Sequence, residues 1–327
     1  MRRLKKLCAG AICICLMAAV LCGCGAAPEE TAEELNVYAT FYPLYAIAEM
    51  ILKDVPDARL NCLVQPQDGC LRSYALSDWD FALLSRSADA VIAGGSGLES
   101  FDSLLYAMGD SGPAVVEVLT NMELCTQEAV NDGDEEGESH WQDANPHIYM
   151  SVDGAIEIAR RIAASFETLD PRYAERYVEN LEEAQNRLKS LKEELVFASS
   201  GIKRAKVAVL NEALVYAARE YDLEIALCYA RESGEALEGA ALEELMDRIR
   251  ESGAEAVLIE KQAPQALVSA LKAAGIPVAA LDTMSTRRAE EGSEGYFDAQ
   301  RANARELSSA LASNIAQSNS ADSEESE

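Results

Sequence analysis

One stripe of apolar side chains constrains this chain more than any other feature. Tyr173, Tyr177, Leu181, Ala184, Leu188, Leu191 and Leu195 recur at intervals of four and three residues, the spacing of a single helical face. Asp170 is a good N-cap residue and Pro171 a good first helical residue. The pattern predicts one helix over 170–199, roughly 40 Å long at ~1.5 Å per residue. Such a helix outspans a small domain and divides the chain. It is expected to act as a rigid linker between two halves and to allow only a small hinge motion between them.

Both halves alternate short apolar, β-branched runs with helical patterns. In the first, strands are expected at 36–40, 60–64, 89–93 and 114–118, with helices at 44–53, 77–86 and 98–108. In the second, strands are expected at 206–210, 224–228, 256–259 and 278–281, and helices at 212–221, 240–251, 264–273 and 295–312. The strand runs lack clean alternation, as parallel strands buried on both faces do. The expected fold class is therefore α/β: two lobes, 36–169 and 200–314, each a mainly parallel four-stranded sheet with flanking helices, joined by the linker helix.

The amino terminus carries an address. Arg2, Arg3, Lys5 and Lys6 precede an apolar run from Leu7 to Leu21, too short to span a bilayer and followed by no stop-transfer pattern. Residues 1–23 read as a secretory signal peptide. Leu21-Cys22-Gly23-Cys24 resembles a bacterial lipobox, with Cys22 where Ser or Ala is commoner. That implies lipidation at Cys24, a polar tether over 24–35, and a protein held on the extracytoplasmic face of the cell membrane through its lipid anchor only.

Charge narrows the partners. The chain has 28 Lys+Arg against 56 Asp+Glu, a net −28 that becomes −32 without the four positives of the signal peptide. Such a chain repels nucleic acid and anionic lipid, and a monomer is expected. Of the nine cysteines, Cys62, Cys70, Cys125 and Cys228 follow Cys24. None is in a CxxC pair, although Cys62 and Cys70 are close enough in sequence to pair in an oxidising compartment. Residues 131–143 form an acidic loop containing His140, expected to be solvated, and 315–327 an acidic tail expected to be disordered. There is no Walker loop, no GxSxG, and no recognisable Ser or Cys partner for either histidine. An enzyme is not expected.

Several segments together resemble the metal-specific solute-binding lipoproteins of bacterial ABC transporters, the zinc/manganese receptor family. They are Val37-Tyr-Ala-Thr-Phe-Tyr-Pro-Leu-Tyr45, Asp80-Phe-Ala-Leu-Leu84, Ala88-Asp-Ala-Val-Ile92, Gly95-Ser-Gly-Leu-Glu99, Asn145-Pro-His-Ile-Tyr149 and Glu290-Glu-Gly292 before Gly295-Tyr-Phe297. The resemblance spans nearly the whole mature chain in order. It implies a transported Zn2+ or Mn2+ and an ABC permease partner.

The resemblance also implies four cation ligands between the lobes, mostly three histidines and a carboxylate. Carried over by position, the first falls on Arg72, the second on His147, the third on Asn211 and the carboxylate on Asp282. Two of the four are lost, one of them to a cation. Asn211 and Asp282 do follow expected strands, where open α/β sheets place ligands, but zinc wants four N, S or O donors and a guanidinium only donates. Glu212 could replace Asn211 by a register shift. Glu260 could ligate the ion or hydrogen-bond His147. Asp282 is as well suited to pair with Arg72 as to hold metal. The resulting reading is a membrane-anchored metal receptor with a divergent site. The alternatives are a receptor-like paralogue in which an Arg72–Asp282 pair replaces the ion, and a surface adhesion or scaffold lipoprotein.

Overall fold

The computed structural model describes residues 34–66, 71, 74–126, 144–229, 231 and 235–324, with 313–324 as backbone alone. The signal peptide, Cys24, most of the tether, Cys70, Arg72 and the acidic loop with His140 lie outside the described residues. Leu35–Glu327 forms one compact unit containing two four-stranded sheets, every strand pair parallel. The first has the order β2-β1-β3-β4, from β1 (Leu35–Ala39), β2 (Ala58–Cys62), β3 (Ala90–Ala93) and β4 (Ala114–Glu117). The second has the order β6-β5-β7-β8, from β5 (Lys206–Val209), β6 (Glu224–Cys228), β7 (Ala256–Glu260) and β8 (Val278–Leu281). All eight expected strands are present, two with the expected bounds and six with ends shifted by one or two residues.

The helices of the first lobe are α1 (Tyr42–Leu52), α2 (Asp78–Ser87) and α3 (Asp102–Ala107). A capping box starts α2: Ser77 Oγ accepts from the Asp80 N–H, and Asp80 Oδ2 accepts from the Ser77 N–H. Next comes α4 (Val152–Leu169), an 18-residue helix absent from the sequence reading. Its first turn packs onto the 3-10 turn Ile148–Met150; a Cβ at Gly154 would lie 2.1 Å from the Ile148 carbonyl oxygen. Gly154 thus lets α4 close over the turn that follows His147.

The linker helix is α5 (Ala174–Ala198), preceded by a 3-10 turn at Pro171–Tyr173. Asp170 is not its N-cap, because α4 runs to Leu169 and the chain turns directly into α5. The Asp170 carboxylate instead accepts from Tyr177 Oη at 3.1 Å and Arg172 Nε at 2.7 Å. Tyr177, Ala184, Leu188, Leu191 and Leu195 are buried along the expected stripe. They belong to a core containing residues of both lobes. Asn180, also buried, donates to the Ile51 and Lys53 carbonyls at the end of α1, supplying partners that a helix terminus lacks.

The remaining helices are α6 (Leu214–Glu220), α7 (Gly239–Glu251), α8 (Gln265–Ala273) and α9 (Gly292–Glu324). The α9 backbone is helical well into the stretch expected to be disordered. No Gly or Pro interrupts it after Gly295, so nothing local stops the helix.

The second sheet divides two cores by residue parity. Val207, Val209, Ala256, Leu258, Ala279 and Leu281 join the core shared with the first lobe, α4 and α5. Ala208, Leu210, Val257, Ile259 and Val278 join a separate core with Leu245 and Ile249 of α7 and Leu267 and Leu271 of α8. Both faces are covered, so the strands read as unbroken apolar runs. The lobes also meet through hydrogen bonds. Tyr42 Oη donates to the Gly292 carbonyl at 2.8 Å, Tyr296 Oη to the Tyr149 carbonyl at 3.0 Å and Gln300 Nε2 to the Met150 carbonyl at 2.9 Å. No described helix is long and apolar enough to cross a membrane.

Candidate metal site between the lobes

In each sheet the strand order reverses direction at its centre, between β1 and β3 and between β5 and β7. Open α/β sheets bind ligands beyond the carboxyl ends of strands at such points. Asn211, Glu212, Glu260 and Asp282 all lie there, and the segment after residue 144 brings His147 to the same edge from the first lobe.

His147 is buried, and its ring is oriented by Asn145 and Glu212. Asn145 Nδ2 donates to the Glu212 carbonyl at 2.7 Å, so Asn145 Oδ1 is an acceptor. It takes the His147 backbone N–H at 3.0 Å and faces His147 Nδ1 at 2.9 Å. Nδ1 therefore carries a proton, which in the neutral ring leaves the lone pair on Nε2. Glu212 Oε1 lies 3.6 Å from the same Nδ1. A carboxylate on the protonated side of an imidazole raises the basicity of the other nitrogen. Glu212 Oε1 thus stands on the Nδ1 side of His147, behind the ring.

Asn211 faces its own backbone. Its Oδ1 accepts from the Ala213 N–H at 3.0 Å, an Asx turn that starts the chain into α6. Glu260 is the last residue of β7. It is wholly buried and ion-paired with Arg231, both side chains 0% exposed, and Arg231 Nη1 also donates to the Glu235 carbonyl at 2.8 Å. A buried carboxylate needs a matched cation, and Arg231, in the segment after β6, supplies it.

Asp282 is anchored at every atom. Asn303 of α9 brackets its backbone, accepting from the N–H at 2.7 Å and donating to the carbonyl at 3.0 Å. Oδ1 accepts from the Met284 N–H at 2.8 Å. Oδ2 accepts from Arg287 Nε at 3.0 Å and faces Arg287 Nη2 at 2.9 Å and Lys261 Nζ at 3.6 Å. Among the described residues the cations on Asp282 are Arg287, five residues on, and Lys261; Arg72, the partner the sequence suggested, lies outside them. Among the described residues, no three His, Cys, Asp or Glu side chains converge closely enough to hold a metal.

Cys62 and Cys228 are not poised as ligands. Burial, aided by Glu212, pushes the Cys228 thiol up to about 12; burial, aided by Glu290, does the same for Cys62. Both remain thiols at neutral pH, and the thiolate is the metal-binding form. Cys62 is a free thiol that donates to the Val64 carbonyl.

The corresponding edge of the first sheet holds Glu99. Its carboxyl is buried, accepting from Thr40 Oγ1 at 2.7 Å, the Gly94 N–H at 2.8 Å and the Gly95 N–H at 3.0 Å. Asp102 lies beside it and Glu117 beyond Asp102. Next to Glu99, Ser100 N donates to the Leu71 carbonyl and Ser100 Oγ to the Tyr74 carbonyl, so this corner holds both ends of the segment containing Arg72. Glu99, Asn145, Arg231 and Arg287 were missed as site residues. Glu99 and Asn145 stand in segments that carry the resemblance, and Arg287 shows a four-residue spacing to Glu291; Arg231 has no such signal.

Comparison with known proteins accounts for this architecture. Residues 37–310 match the ZnuA family, described as zinc-uptake complex component A periplasmic. The high-affinity zinc uptake system protein ZnuA of Bacillus subtilis is 23% identical over 318 residues, covering 92% of this chain and 96% of that protein. The zinc-binding lipoprotein AdcA of Streptococcus pneumoniae is 23% identical over 282 residues, and the match takes in 84% of this chain but 55% of AdcA. The chain thus spans about half the length of that relative. Among solved structures, the Mn2+ complex of FpvC from Pseudomonas aeruginosa superposes with a TM-score of 0.73 at 20% identity, covering 86% of this chain and 99% of that one. The Zn(II)-bound ZnuA-like domain of Streptococcus pneumoniae AdcA gives 0.69 at 22% identity, with 85% and 99% covered. With the match extending from β1 into α9, this chain belongs to the ZnuA family.

Proposed function

We propose that this protein is the extracytoplasmic, metal-binding component of an ABC uptake system for zinc or manganese, delivering its ion to a membrane permease, and that its site is a weakened form of the family's. The observation that carries this reading is His147. The one histidine at an expected ligand position is buried at the inter-lobe edge, and its protonation is set by Asn145 so that Nε2 can donate to a cation. The role is binding, not catalysis. Cys24 provides the anchor.

Titration of the purified full-length protein with Zn2+ and Mn2+ tests the reading. Binding is expected at one ion per chain, lost in His147→Ala. Glu212→Gln and Asn145→Ala, which remove the groups behind the ring, are each expected to weaken affinity by roughly 10–100-fold. A wild-type protein that binds neither ion would instead be a receptor-like paralogue.

The anchor has its own test. Cys24→Ala is expected to release the protein from membranes and to abolish acyl-chain labelling. Full retention of that variant on membranes, with unchanged mobility, would exclude lipidation at Cys24.

A further inference from the structure

We infer that Arg287 is a built-in competitor for the transported cation: its guanidinium holds Asp282 Oδ2, and a divalent ion takes that oxygen only by displacing Arg287 toward Glu291. This rests on the receptor reading above and adds a residue that sets its affinity.

The argument begins with the lone pairs of one carboxylate. Oδ1 of Asp282 is engaged by the Met284 N–H, and Asn303 clamps the backbone on both sides. The carboxyl group therefore cannot swing to present a new oxygen. Oδ2 is the oxygen that Arg287 occupies, with Nε and Nη2 at 3.0 and 2.9 Å. Two donors use the two lone pairs of that oxygen. The side chains of Asp282 and Arg287 are only 9% and 15% exposed, so water screens the pair poorly. Lys261, at 3.6 Å and half exposed, adds charge but does not seal the site.

Arg287 also has somewhere to go. Its Nη1 faces Glu291 Oε2, four residues on, at 2.6 Å. The guanidinium can give up Asp282 while keeping a full carboxylate partner, so displacement strands no charge. The turn that carries Glu291 is clamped by the first lobe, with Tyr42 Oη on the Gly292 carbonyl and the Ser293 N–H on Glu49. The exchange of cations therefore occurs at the seam between the lobes.

Arg287→Gln, Arg287→Lys and Glu291→Gln, made in the full chain, test this by zinc affinity from chelator competition, with circular dichroism verifying the fold. Arg287→Gln should bind zinc about tenfold or more tighter than wild type, and adding Asp282→Asn to it should remove the gain. Arg287→Lys, which keeps the charge, should stay near wild type. Glu291→Gln, which removes the alternative seat, should bind more weakly. Equal or weaker zinc binding by folded Arg287→Gln overturns the inference. Should that variant fail to fold, unchanged affinity in Glu291→Gln overturns it. Zinc binding by Arg287→Gln alone supports the competitor and refutes the wild-type receptor reading. Binding by neither refutes both, and tight binding unaffected by either change refutes only the competitor.

Discussion

Arg231→Met is expected to destabilise the protein by about 3–5 kcal/mol, the usual cost of leaving one buried partner of an ion pair alone. Arg231 and Glu260 are wholly buried, and Arg231 also satisfies the Glu235 carbonyl. Without it, the Glu260 carboxylate stays buried with its guanidinium gone. For a chain of this size the melting temperature should fall on the order of 10 °C. The double variant Arg231→Met/Glu260→Leu should recover most of the loss, because apolar replacement of a whole buried pair is often neutral or stabilising. Urea denaturation of the two singles and the double closes the cycle. A single change costing less than about 1 kcal/mol, or a double as unstable as Arg231→Met, would show that the pair is not the unit of stability argued here.

Glu99 should make the protein's stability depend on pH. Burial pushes its carboxyl from 4.5 up to about 7, against the lowering effect of Thr40, Gly94 and Gly95, while Asp102 is raised by its own burial and by Glu117. The folded value lies above the unfolded one, so the folded protein binds the extra proton between them. The resulting stability is fully present below pH 4.5 and is lost as pH rises through 7. At ~1.4 kcal/mol per unit the rise from 4.5 to about 7 is worth about 3–4 kcal/mol, of which about 2–3 falls between pH 5 and pH 8. Wild type should lose that much more than Glu99→Gln between pH 5 and pH 8 in urea melts. The glutamine keeps the size of the protonated acid and its ability to donate toward Asp102 without titrating. Parallel curves for the two proteins would mean that Glu99 is already ionised throughout that range.

The elements most legible in the sequence are those whose signal is local. The seven-residue stripe on α5 and the eight apolar strand runs were visible because periodicity and β-branched content act within a few residues. The helix α4 went unread although Ile158, Ile162 and Phe166 lie at four-residue spacing. Its apolar face is built partly from alanines, Ala155, Ala159 and Ala163, all buried, which carry little hydrophobic contrast. Asp170 looked like a cap and became a buried acceptor for Tyr177 because an unexpected helix ended beside it.

At the site, sequence position located the edge and left the partnerships open. His147 and Asp282 fall at the lobe seam where the resemblance placed them. Glu212 looked like a spare ligand, and only the fold shows it on the Nδ1 side of His147. Glu260 looked like a cleft residue, and Arg231, from another strand's loop, claims it.

The sequence by itself determined two α/β lobes, the helix between them and the strand ends at which a site would form, because hydrophobic period and strand-end position are properties of short segments. Tertiary structure alone decided which face of the second sheet joins the common core and which arginine neutralises which carboxylate. A guanidinium is chosen by distance and burial, and both depend on segments that meet only after the chain has folded.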